Sequence, residues 1–415
     1  MTCWRATGRM AMDKVDGLPV FDVDPYAEAL LREPAAYYQA LRACGPLVWI
    51  PRYGVCASGH ISVVEAAFRD WRRFSSARGV GLADFSREPP WRPPSIILEV
   101  DPPAHERTRR VMARALSPQA VRALQPRFEQ VAARLVEEAL AQRELDGVSA
   151  LAAAFPLEVF GDAVGVAREE RHKLLAYGHM VFDALGPDNA VRRAALAEAG
   201  EIVPWIAARC AREALSDDGF GAAIHAAAER GEVTPHEASL LVRSLLSAGV
   251  DTTVATLANL LHCFATHPAQ WQILRGAPEL VMAAIDEVLR YASPVHTFCR
   301  TSTEAVDFVG FTMPADTKLL CVMGAANRDA ARWQDAERFD IRRPSLPHVA
   351  FGSGIHVCVG QHVARQEVAA LLAALVARVA RIELAGEAEW RLGNAVHTLA
   401  RLPLKLHATE AASLR

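Results

Sequence analysis

The stretch that decides the fold is Phe351-Gly352-Ser353-Gly354-Ile355-His356-Val357-Cys358-Val359-Gly360. Its glycines predict a tight backbone bend, and one cysteine follows directly before a predicted helix. At a helix N-terminus, free N–H groups and the positive end of the helix dipole favour a thiolate. Such a thiolate is a good axial ligand for haem iron, and Gly360 leaves room for a flat cofactor. A buried structural cysteine after a glycine-rich turn is the alternative, and it explains less of the string.

Upstream of this stretch, a long apolar helix is predicted with Ala248-Gly249-Val250-Asp251-Thr252-Thr253 in its middle. It begins at Thr234-Pro235-His236-Glu237, which provides a cap, a proline and an acid. It can run to about Ala265, roughly 45 Å at 1.5 Å per residue. Glycine weakens a helix, threonine bonds back to the i−4 carbonyl, and a buried aspartate is costly. A local widening that holds O₂ explains all three features, and a kinked helix with a satisfied polar pair is the alternative.

Composition limits the function classes. The chain has 415 residues, with 45 Lys+Arg against 48 Asp+Glu, so its formal charge is −3. This balance argues against a nucleic-acid-binding protein, and the 51% apolar content fits a large globular core. Residues 1–18 are predicted to be disordered and lack the apolar segment of a secretory signal. The longest apolar run, 245–262, contains Asp251, so we expect no membrane span and a cytoplasmic protein.

The eight cysteines are scattered, and no two form a CxxC pair. This spacing argues against a zinc ribbon, a thioredoxin-type site and an iron–sulfur cluster. Except for Cys358, they are predicted to be mostly small core residues.

The residue pattern predicts one domain over 1–415, mainly α with small β-sheets (α+β). Residues 75–103 hold six prolines without a helical period, which predicts a long functional loop. The sheet-rich parts are predicted at about 20–103 and 295–410, and the helical body at 105–291 and 359–380. Within these parts we predict a helix at 25–43, a hairpin at 47–57, helix breaks at 117–118, 186–187 and 217–219, and strands at 295–301, 306–309 and 318–322.

The string around Cys358 resembles the haem-binding signature of the cytochrome P-450 superfamily, the haem-thiolate monooxygenases. Three further family features occur in the right order, so the resemblance covers nearly the whole chain: 248–253, Glu287-Val288-Leu289-Arg290, and Asp101-Pro102-Pro103-Ala104-His105. It implies the P-450 fold, with heme b (iron protoporphyrin IX) between the long central helix and the Cys-loop helix. It also implies O₂ as co-substrate and electrons from a ferredoxin and an NAD(P)H-dependent ferredoxin reductase, with no nucleic acid or membrane as partner.

The resemblance assigns roles to individual residues. Cys358 is the axial ligand, Thr252 helps to protonate dioxygen, and Asp251 relays protons from solvent. A structural core is implied for Glu287, Arg290 and Arg343, although an ExxR pair alone is most often a solvated ion pair. The residues implied to contact the haem are His105, Arg109, Arg300, Phe351, His356 and Gly360. A second interpretation makes the basic helix face of Arg107, Arg109, Arg110 and Arg114 a docking patch for an acidic ferredoxin, and a solvated face is the third.

Three segments, 75–117, 240–253 and 293–298, resemble the bacterial subfamily that oxidises para-substituted benzoates. Those enzymes typically demethylate 4-methoxybenzoate to 4-hydroxybenzoate and formaldehyde. Ser244, Ala248 and Thr252 lie in one row on a helix face, with the outer two roughly 12 Å apart along its axis. Such a row suits a short rigid substrate with a polar tail. Arg92, Ser95, Arg243 and Ser244 are expected to bind its carboxylate, and Leu98, Phe182, Leu185, Val295 and Phe298 to surround its ring.

Leu185, His296 and Cys299 depart from the subfamily pattern, and Leu185 is expected to change the shape of the pocket. Other functions therefore stay open. They are a haem-thiolate monooxygenase acting on a terpene, fatty acid, macrolide or other aromatic compound, a peroxide-driven peroxygenase, and a haem sensor without turnover. The cationic anchor argues against neutral substrates, and the Asp251–Thr252 pair argues for the O₂ route.

Overall fold

The computed structural model describes Val15 and residues 17–409. Helices make up nearly half of this part of the chain. They are α1 Glu28–Arg32, α2 Ala35–Cys44, α3 Ile61–Arg69, α4 Ala104–Ala115, α5 Pro118–Leu140, α6 Ala154–Val164, α7 His172–Asp183, α8 Ala190–Leu196, α9 Ala199–Arg209, α10 Phe220–Glu229, α11 Pro235–Gly249, α12 Asp251–Thr266, α13 Pro268–Gly276, α14 Val281–Tyr291, α15 Met323–Ala326 and α16 Gln361–Arg378.

The strands are short. They are β1 Val48–Ile50, β2 Val55–Ser58, β3 Phe74–Ser75, β4 Leu145–Asp146, β5 Thr297–Ser302, β6 Val306–Phe308, β7 Phe311–Met313, β8 Lys318–Val322, β9 Val379–Leu384, β10 Glu389–Arg391, β11 Thr398–Arg401 and β12 Pro403–Ala408. Their pairing gives one larger sheet, in the order β1-β2-β8-β5-β3, and a sheet in the order β4-β12-β9. The pairs β6-β7 and β10-β11 form two further small sheets.

The predicted fold class, mainly helical with small sheets, is confirmed. The predicted hairpin is present, with Val48 paired to Ala57 across β1 and β2. Except for β4, the strands lie within the two predicted sheet-rich parts. The predicted helix breaks at 117–118, 186–187 and 217–219 also lie between helices.

Several predicted boundaries are wrong. The helix predicted over 25–43 is two helices, because Pro34 forces Glu33 out of the helical region, to φ −130° and ψ 79°. The last helix ends at Arg378, and the chain continues directly into β9. The strand predicted from Val295 begins at Thr297. The strand predicted to reach Val309 ends at Phe308, and Val309 itself has a φ of +48°.

The predicted disorder of residues 1–18 is contradicted at two positions, because Val15 and Leu18 are 3% and 2% exposed. Both belong to a hydrophobic cluster with Trp49 and Phe74. The rest of that prediction, residues 1–14 and 16, lies outside the described residues, apart from Gly17, which is exposed.

The predicted central helix is confirmed as α11 and α12, with regular helical hydrogen bonding interrupted at Val250. The predicted start is a complete capping box, in which Thr234 and Glu237 bond reciprocally to each other's backbone N–H. Within the described chain, Pro235–Thr266 is long and apolar enough to cross a membrane, with a mean hydropathy of 1.3 over an 18-residue stretch. Of this stretch, however, 67% is buried inside the protein. It is therefore a core helix.

The buried ion pair of Glu287 and Arg290 joins α14 to the irregular segment 327–345. Both side chains are 0% exposed, and the two nitrogens Nε and Nη2 of Arg290 donate to the carboxylate at 2.7 and 2.8 Å. The Nη1 of Arg290 also donates to the carbonyls of Asn327 and Ala336. Nε of Arg343, the predicted third member, lies 3.4 Å from Oε1 of Glu287.

The segment held by this ion pair leads into the Cys358 stretch. Ser345 donates to the Glu287 carboxylate at 2.7 Å, and the Val349 N–H donates to the Asn327 side chain. The stretch then bends at Gly354, where φ is +72° and a Cβ would lie 2.3 Å from the Phe68 carbonyl oxygen. Only glycine fits there. The ion pair and the bend together fix where the cysteine points.

We expect Arg290→Leu to lower the free energy of unfolding by about 3–5 kcal/mol, because it leaves a buried carboxylate without its main partner. Urea unfolding followed by far-ultraviolet circular dichroism measures this loss. The control is Arg342→Leu, an exposed arginine in the same segment. A loss of less than about 1 kcal/mol in R290L, the size typical of an exposed pair, would contradict a structural role.

Candidate functional site

One large cavity lies between the central helix and the Cys358 stretch. It is bounded by α11 and α12 on one side and by 350–360 and the start of α16 on the other. The loop 80–98, the end of α7 and the chain around β5 complete its wall. The predicted site residues that line it are Arg92, Ser95, Leu98, Arg109, Phe182, Leu185, Ser244, Ala248, Thr252, Val295, Phe298, Arg300, Phe351, His356, Cys358 and Gly360. Three predicted site residues, His105, Arg243 and Asp251, lie behind this wall.

Cys358 is presented to the cavity by a hydrogen bond from its N–H to the Phe351 carbonyl at 2.8 Å. Burial raises the pKa of its thiol, and the backbone N–H groups of Gly360 and Gln361 and the charge of Arg109 oppose this shift without cancelling it. The helix N-terminal N–H groups thus favour the thiolate, as expected, but burial is the larger effect. Coordination to a metal ion removes a thiol proton outright, so the cysteine suits a metal ligand better than a free thiolate.

Buried nitrogen donors next to Cys358 fit the carboxylates of a haem. Both ring nitrogens of His105 are buried without a hydrogen-bond partner, and its ring lies edge-on to His356 at 4.5 Å between centroids. Burial, with the charges of His356 and Arg109, lowers the pKa of His105 to about 4, so the ring is neutral and still carries one N–H donor. Burial also lowers the pKa of Arg109 and Arg300. Buried donors need a hydrogen-bond partner, and a carboxylate can accept from all of them.

Asp251 and Thr252 begin α12, directly after the helix interruption at Val250, and they point in different directions. The hydroxyl of Thr252 faces the cavity and donates to the Ala248 carbonyl at 2.7 Å. Asp251 turns the other way and is 1% exposed, with its Oδ1 3.3 Å from Nε2 of His179. Burial raises the pKa of Asp251, but His179 and Arg391 outweigh it and hold this pKa below its usual range. Asp251 is thus ionised and paired, and His179 is a neighbour that the sequence did not identify.

The side chains predicted to bind a substrate carboxylate already contact a carboxylate of the protein itself. Nη1 of Arg92 lies 3.2 Å from Oε2 of Glu99, whose side chain is 2% exposed. The hydroxyls of Ser95 and Ser244 are 3.2 Å apart, and Ser244 donates to the Leu240 carbonyl. Sequence analysis missed Glu99, although a single acid inside the apolar run Ile96–Val100 is a signal that it has a buried partner.

Arg243 does not contact the cavity directly. Its Nη2 donates to the carbonyls of Pro93 and Pro94, at 2.9 and 3.2 Å, so it holds the loop that carries Arg92 and Ser95. The expected direct contact between Arg243 and a substrate is replaced by this supporting position, because the guanidinium satisfies loop carbonyls instead.

The apolar side chains predicted to surround a substrate ring, including Leu185, line the cavity. The other two departures from the subfamily pattern lie outside it. The Nδ1 of His296 is 3.3 Å from the Tyr38 hydroxyl, and the N–H of Cys299 donates to the Val80 carbonyl. Of the three departures, only Leu185 can change the shape of the pocket directly.

The basic face of α4 is largely neutralised. Arg107 pairs with Glu237 at 2.9 Å, Arg114 pairs with Glu232, and Arg109 turns into the cavity. The docking patch predicted from four arginines is therefore wrong as a uniform positive surface. The acids of the 232–237 segment, distant in sequence, could not be paired with α4 from periodicity alone.

A second acid that sequence analysis missed is Glu367 on α16. It lines the cavity, it is 0% exposed, and neither carboxylate oxygen has a hydrogen-bond partner. Burial raises the pKa of Glu367 well above its usual range, although Thr253 opposes the shift. Burial therefore favours the neutral form of this carboxyl group. Its signal in the sequence is an acid on the apolar face of a predicted helix.

Comparison with known proteins agrees with this geometry. The family model for cytochrome P450 matches residues 217–381. The chain is 44% identical over 391 residues to cytochrome P450 CYP199A2 of Rhodopseudomonas palustris, covering 94% of this chain and 95% of that protein. It is 33% identical to cytochrome P450 107B1 of Saccharopolyspora erythraea, over 78% of this chain and 81% of that protein.

The fold agrees as well. A solved structure of cytochrome P450 CREJ in complex with (4-ethylphenyl) dihydrogen phosphate superposes with a TM-score of 0.84, at 25% identity, over 92% of this chain and 99% of that one. The sequence identity, the shared fold and a cysteine facing a cavity lined with unpaired donors lead to one conclusion. The chain belongs to the cytochrome P450 family and is a monooxygenase of the haem-thiolate type.

Proposed function

We propose that this P450 oxidises a small para-substituted aromatic carboxylate, O-demethylating 4-methoxybenzoate to 4-hydroxybenzoate and formaldehyde. The observation that carries the proposal is the chemistry of the cavity wall. Arg92, Ser95 and Ser244 are its polar anchor, and they line the same cavity as Cys358 and a set of apolar side chains. A mostly apolar pocket with a few converging polar groups is typical of sites for small organic molecules.

The anchor carries a net positive charge. Arg92 and Arg243 supply two positive charges and Glu99 supplies one negative charge, which leaves one positive charge for an anionic substrate. A carboxylate can accept hydrogen bonds from Arg92 and from the hydroxyls of Ser95 and Ser244. Both hydroxyls must then turn away from their present acceptors, because Ser244 donates its single proton to the Leu240 carbonyl and Ser95 donates its own to Ser244. The loop contact of Arg243 keeps the anchor in place.

The middle of the cavity suits a flat ring. Leu98, Phe182, Leu185, Val295 and Phe298 line it, and none carries a polar side-chain atom. The ligand in the CREJ structure, a 4-ethylphenyl phosphate, also joins a para-alkylated ring to an acidic group. Ser244 and Thr252 are eight residues apart on α11 and α12, roughly 12 Å along the axis. This length accommodates a benzoate with its para substituent directed towards Cys358.

The residues present fit a heme b. Cys358 would be its axial ligand, and His105, Arg109, Arg300 and His356 would hold its propionates. Phe351 and Gly360 line the same wall, and Gly360 leaves it flat. When bound, this group activates O₂ for insertion of one oxygen atom into a C–H bond.

Thr252 and Asp251 supply protons in this proposal. The overall reaction takes 4-methoxybenzoate, O₂, two electrons and two protons to 4-hydroxybenzoate, formaldehyde and water. Hydroxylation of the methoxy carbon gives a hemiacetal, whose C–O bond breaks as the phenol takes the proton. Thr252 can donate its hydroxyl proton into the cavity once it releases the Ala248 carbonyl. Asp251, which is ionised at rest, takes up a proton that comes from solvent and passes it on to Thr252.

Electrons come from a ferredoxin and an NAD(P)H-dependent ferredoxin reductase in the cytoplasm. The docking surface is not the whole basic face of α4, because Arg107 and Arg114 are paired. Arg110 remains exposed on that helix, and it can still contact an acidic partner.

Titration of the ferric holoenzyme with 4-methoxybenzoate is expected to shift the Soret band to shorter wavelength, from low to high spin. The ring, anchored by its carboxylate, would place the methoxy group where water otherwise binds the iron. Visible absorption spectroscopy measures the change. A Soret band that does not move would overturn the benzoate proposal and leave the family assignment intact.

Arg92→Leu is expected to weaken binding of 4-methoxybenzoate about tenfold to a hundredfold, because it removes a charged hydrogen bond and leaves Glu99 unpaired. The Soret titration gives the dissociation constant. Arg122→Leu, an exposed arginine on α5, is the control variant, and uncharged 4-methoxybenzamide is the control ligand. If R92L weakened both ligands equally, the carboxylate anchor would be wrong.

Thr252→Ala is expected to lower the yield of 4-hydroxybenzoate per NADH oxidised by at least about tenfold, because a positioned proton donor contributes roughly 10²–10⁴-fold. Simultaneous assay of NADH, product and hydrogen peroxide measures this yield. Thr266→Ala is the matched control, because Thr266 makes the same back-bond to an i−4 carbonyl at the far end of α12. Fully coupled turnover in T252A would contradict the assigned role.

A further inference from the structure

A second, smaller cavity, here called the outer cavity, lies beside the main one. Its free volume is about 30 Å³, roughly the space of two water molecules, so it has room for a carboxylate but not for an aromatic ring. Arg92, Val181 and Leu185 line both cavities, so these side chains form the wall between the two. Glu88 and Pro89 also line the outer cavity, and both are exposed. The outer cavity therefore lies between solvent and the main cavity.

The outer cavity contains a cation without a protein partner. Arg192 in α8 lines this cavity and does not line the main one. Within the described residues, its guanidinium makes no hydrogen bond or ion pair, whereas the neighbouring Arg193 pairs with Asp188 at 3.1 Å. A half-buried guanidinium has several N–H donors and no acceptor of its own. An anion in the outer cavity would accept from these donors.

Hydrogen bonds at the start of α8 fix the position of Arg192. The Oδ1 of Asn189, which is the N-cap, accepts from the Arg192 N–H at 2.9 Å. The Nδ2 of Asn189 donates to Oδ1 of Asn394 at 2.8 Å, and Asn394 is 1% exposed. The backbone that carries Arg192 is therefore tied to a buried turn. Binding at a site held in this way orders little additional chain, which lowers its entropic cost.

Arg92 offers a second set of donors. Its Nη1 donates to the Pro93 carbonyl at 2.8 Å and to Glu99 at 3.2 Å, but its Nε is buried without a hydrogen-bond partner in the described chain. A guanidinium can bind a carboxylate through two parallel N–H donors. Since Arg92 lines both cavities, it can contact a carboxylate in either of them.

Two acids line the outer cavity as well. Glu99 is paired with Arg92 and also accepts from the Ser95 N–H at 2.7 Å, so its charge is already compensated. Glu88 is exposed and has no ion pair within the described residues. Water screens an exposed charge more strongly than a half-buried one. The charge of Arg192 therefore outweighs that of Glu88 for an entering anion.

The apolar wall of the outer cavity suits an aromatic acid. Phe85, Trp91 and two prolines, Pro89 and Pro90, contribute to it. A benzoate ring is too large for the cavity itself, but it can pack against these rings while its carboxylate reaches Arg192. Aromatic side chains favour such contacts because they offer a large, flat apolar surface.

We propose that the outer cavity is a loading site for the anionic substrate. The carboxylate first binds Arg192, and it then passes to Arg92 and the main cavity as the Arg92 side chain turns inward. The proposal rests on the aromatic carboxylate substrate given above. A substrate in the main cavity no longer contacts Arg192. This residue therefore governs how fast the substrate enters and leaves, rather than how tightly it is held.

The first test measures entry. Rapid mixing of the ferric holoenzyme with 4-methoxybenzoate, followed at the Soret band, gives the entry rate constant. Arg192→Leu should lower it about threefold to tenfold, because a charge at an entrance raises the local concentration of an oppositely charged ligand. The effect of salt between about 0.01 M and 0.15 M should also weaken. Arg193→Leu is the matched control and should keep the wild-type rate constant. Unchanged entry in R192L would overturn the proposal.

The second test separates a loading site from a second anchor. R192L raises the barrier to entry and exit alike, so its dissociation constant should stay within about twofold of the wild-type value, whereas R92L raises this constant. Glu88→Gln should act in the opposite direction on entry and raise its rate constant about twofold. A dissociation constant about tenfold higher in R192L, with entry as fast as in the wild type, would contradict a loading site.

Failure of the benzoate proposal can be told apart from failure of the loading site. If 4-methoxybenzoate does not shift the Soret band of the wild type, the benzoate proposal is wrong. The loading site is then tested with 4-fluorobenzoate by ¹⁹F NMR of the holoenzyme. Line broadening in the wild type and R193L that is lost in R192L supports the site. Equal broadening in R192L and the wild type, or none in the wild type, rules it out.

Discussion

The buried pair of Glu287 and Arg290 is the interaction on which the rest of the structure depends. Its bidentate geometry satisfies both carboxylate oxygens, and the remaining guanidinium donors bond backbone carbonyls of the 327–345 segment. Two desolvated charges are stable only when every hydrogen bond is made. The segment therefore has one permitted position relative to α14. Since that segment continues into the Cys358 stretch, the same constraint fixes the axial ligand.

The central helix provides two kinds of chemistry from one element. Its first part, α11, carries Ser244, which belongs to the proposed substrate anchor. It also carries Arg243, which donates to the loop behind that anchor. In its second part, α12, Thr252 faces the cavity and Asp251 faces away from it. A regular helix would place residues 251 and 252 about 100° apart, and the approach of α7 decides what Asp251 meets.

Buried charges in this protein are balanced locally. Glu99 is paired with Arg92, Asp183 with Arg391, and Asp251 with His179. Glu367 has no such partner, and its pKa is raised instead. In the proposed function, a substrate anion at Arg92 changes the charge balance of the Arg92–Glu99 pair. A proton taken up by Asp251 changes that of the Asp251–His179 pair. The energetic cost of each change is limited because the partner stays in place.

The sequence by itself determined the fold class, the cysteine that faces the cavity, the interruption of the central helix and most of the predicted residues of the cavity wall. These features are carried by local patterns: glycine bends, caps, helical periodicity and one long motif. The tertiary structure alone decided which charges meet. Glu99 beside Arg92, Glu232 and Glu237 beside α4, and His179 beside Asp251 join residues from separate elements, and so do the strands β4 and β12. Periodicity shows which face of an element is buried, but the neighbour that covers that face depends on how the elements pack.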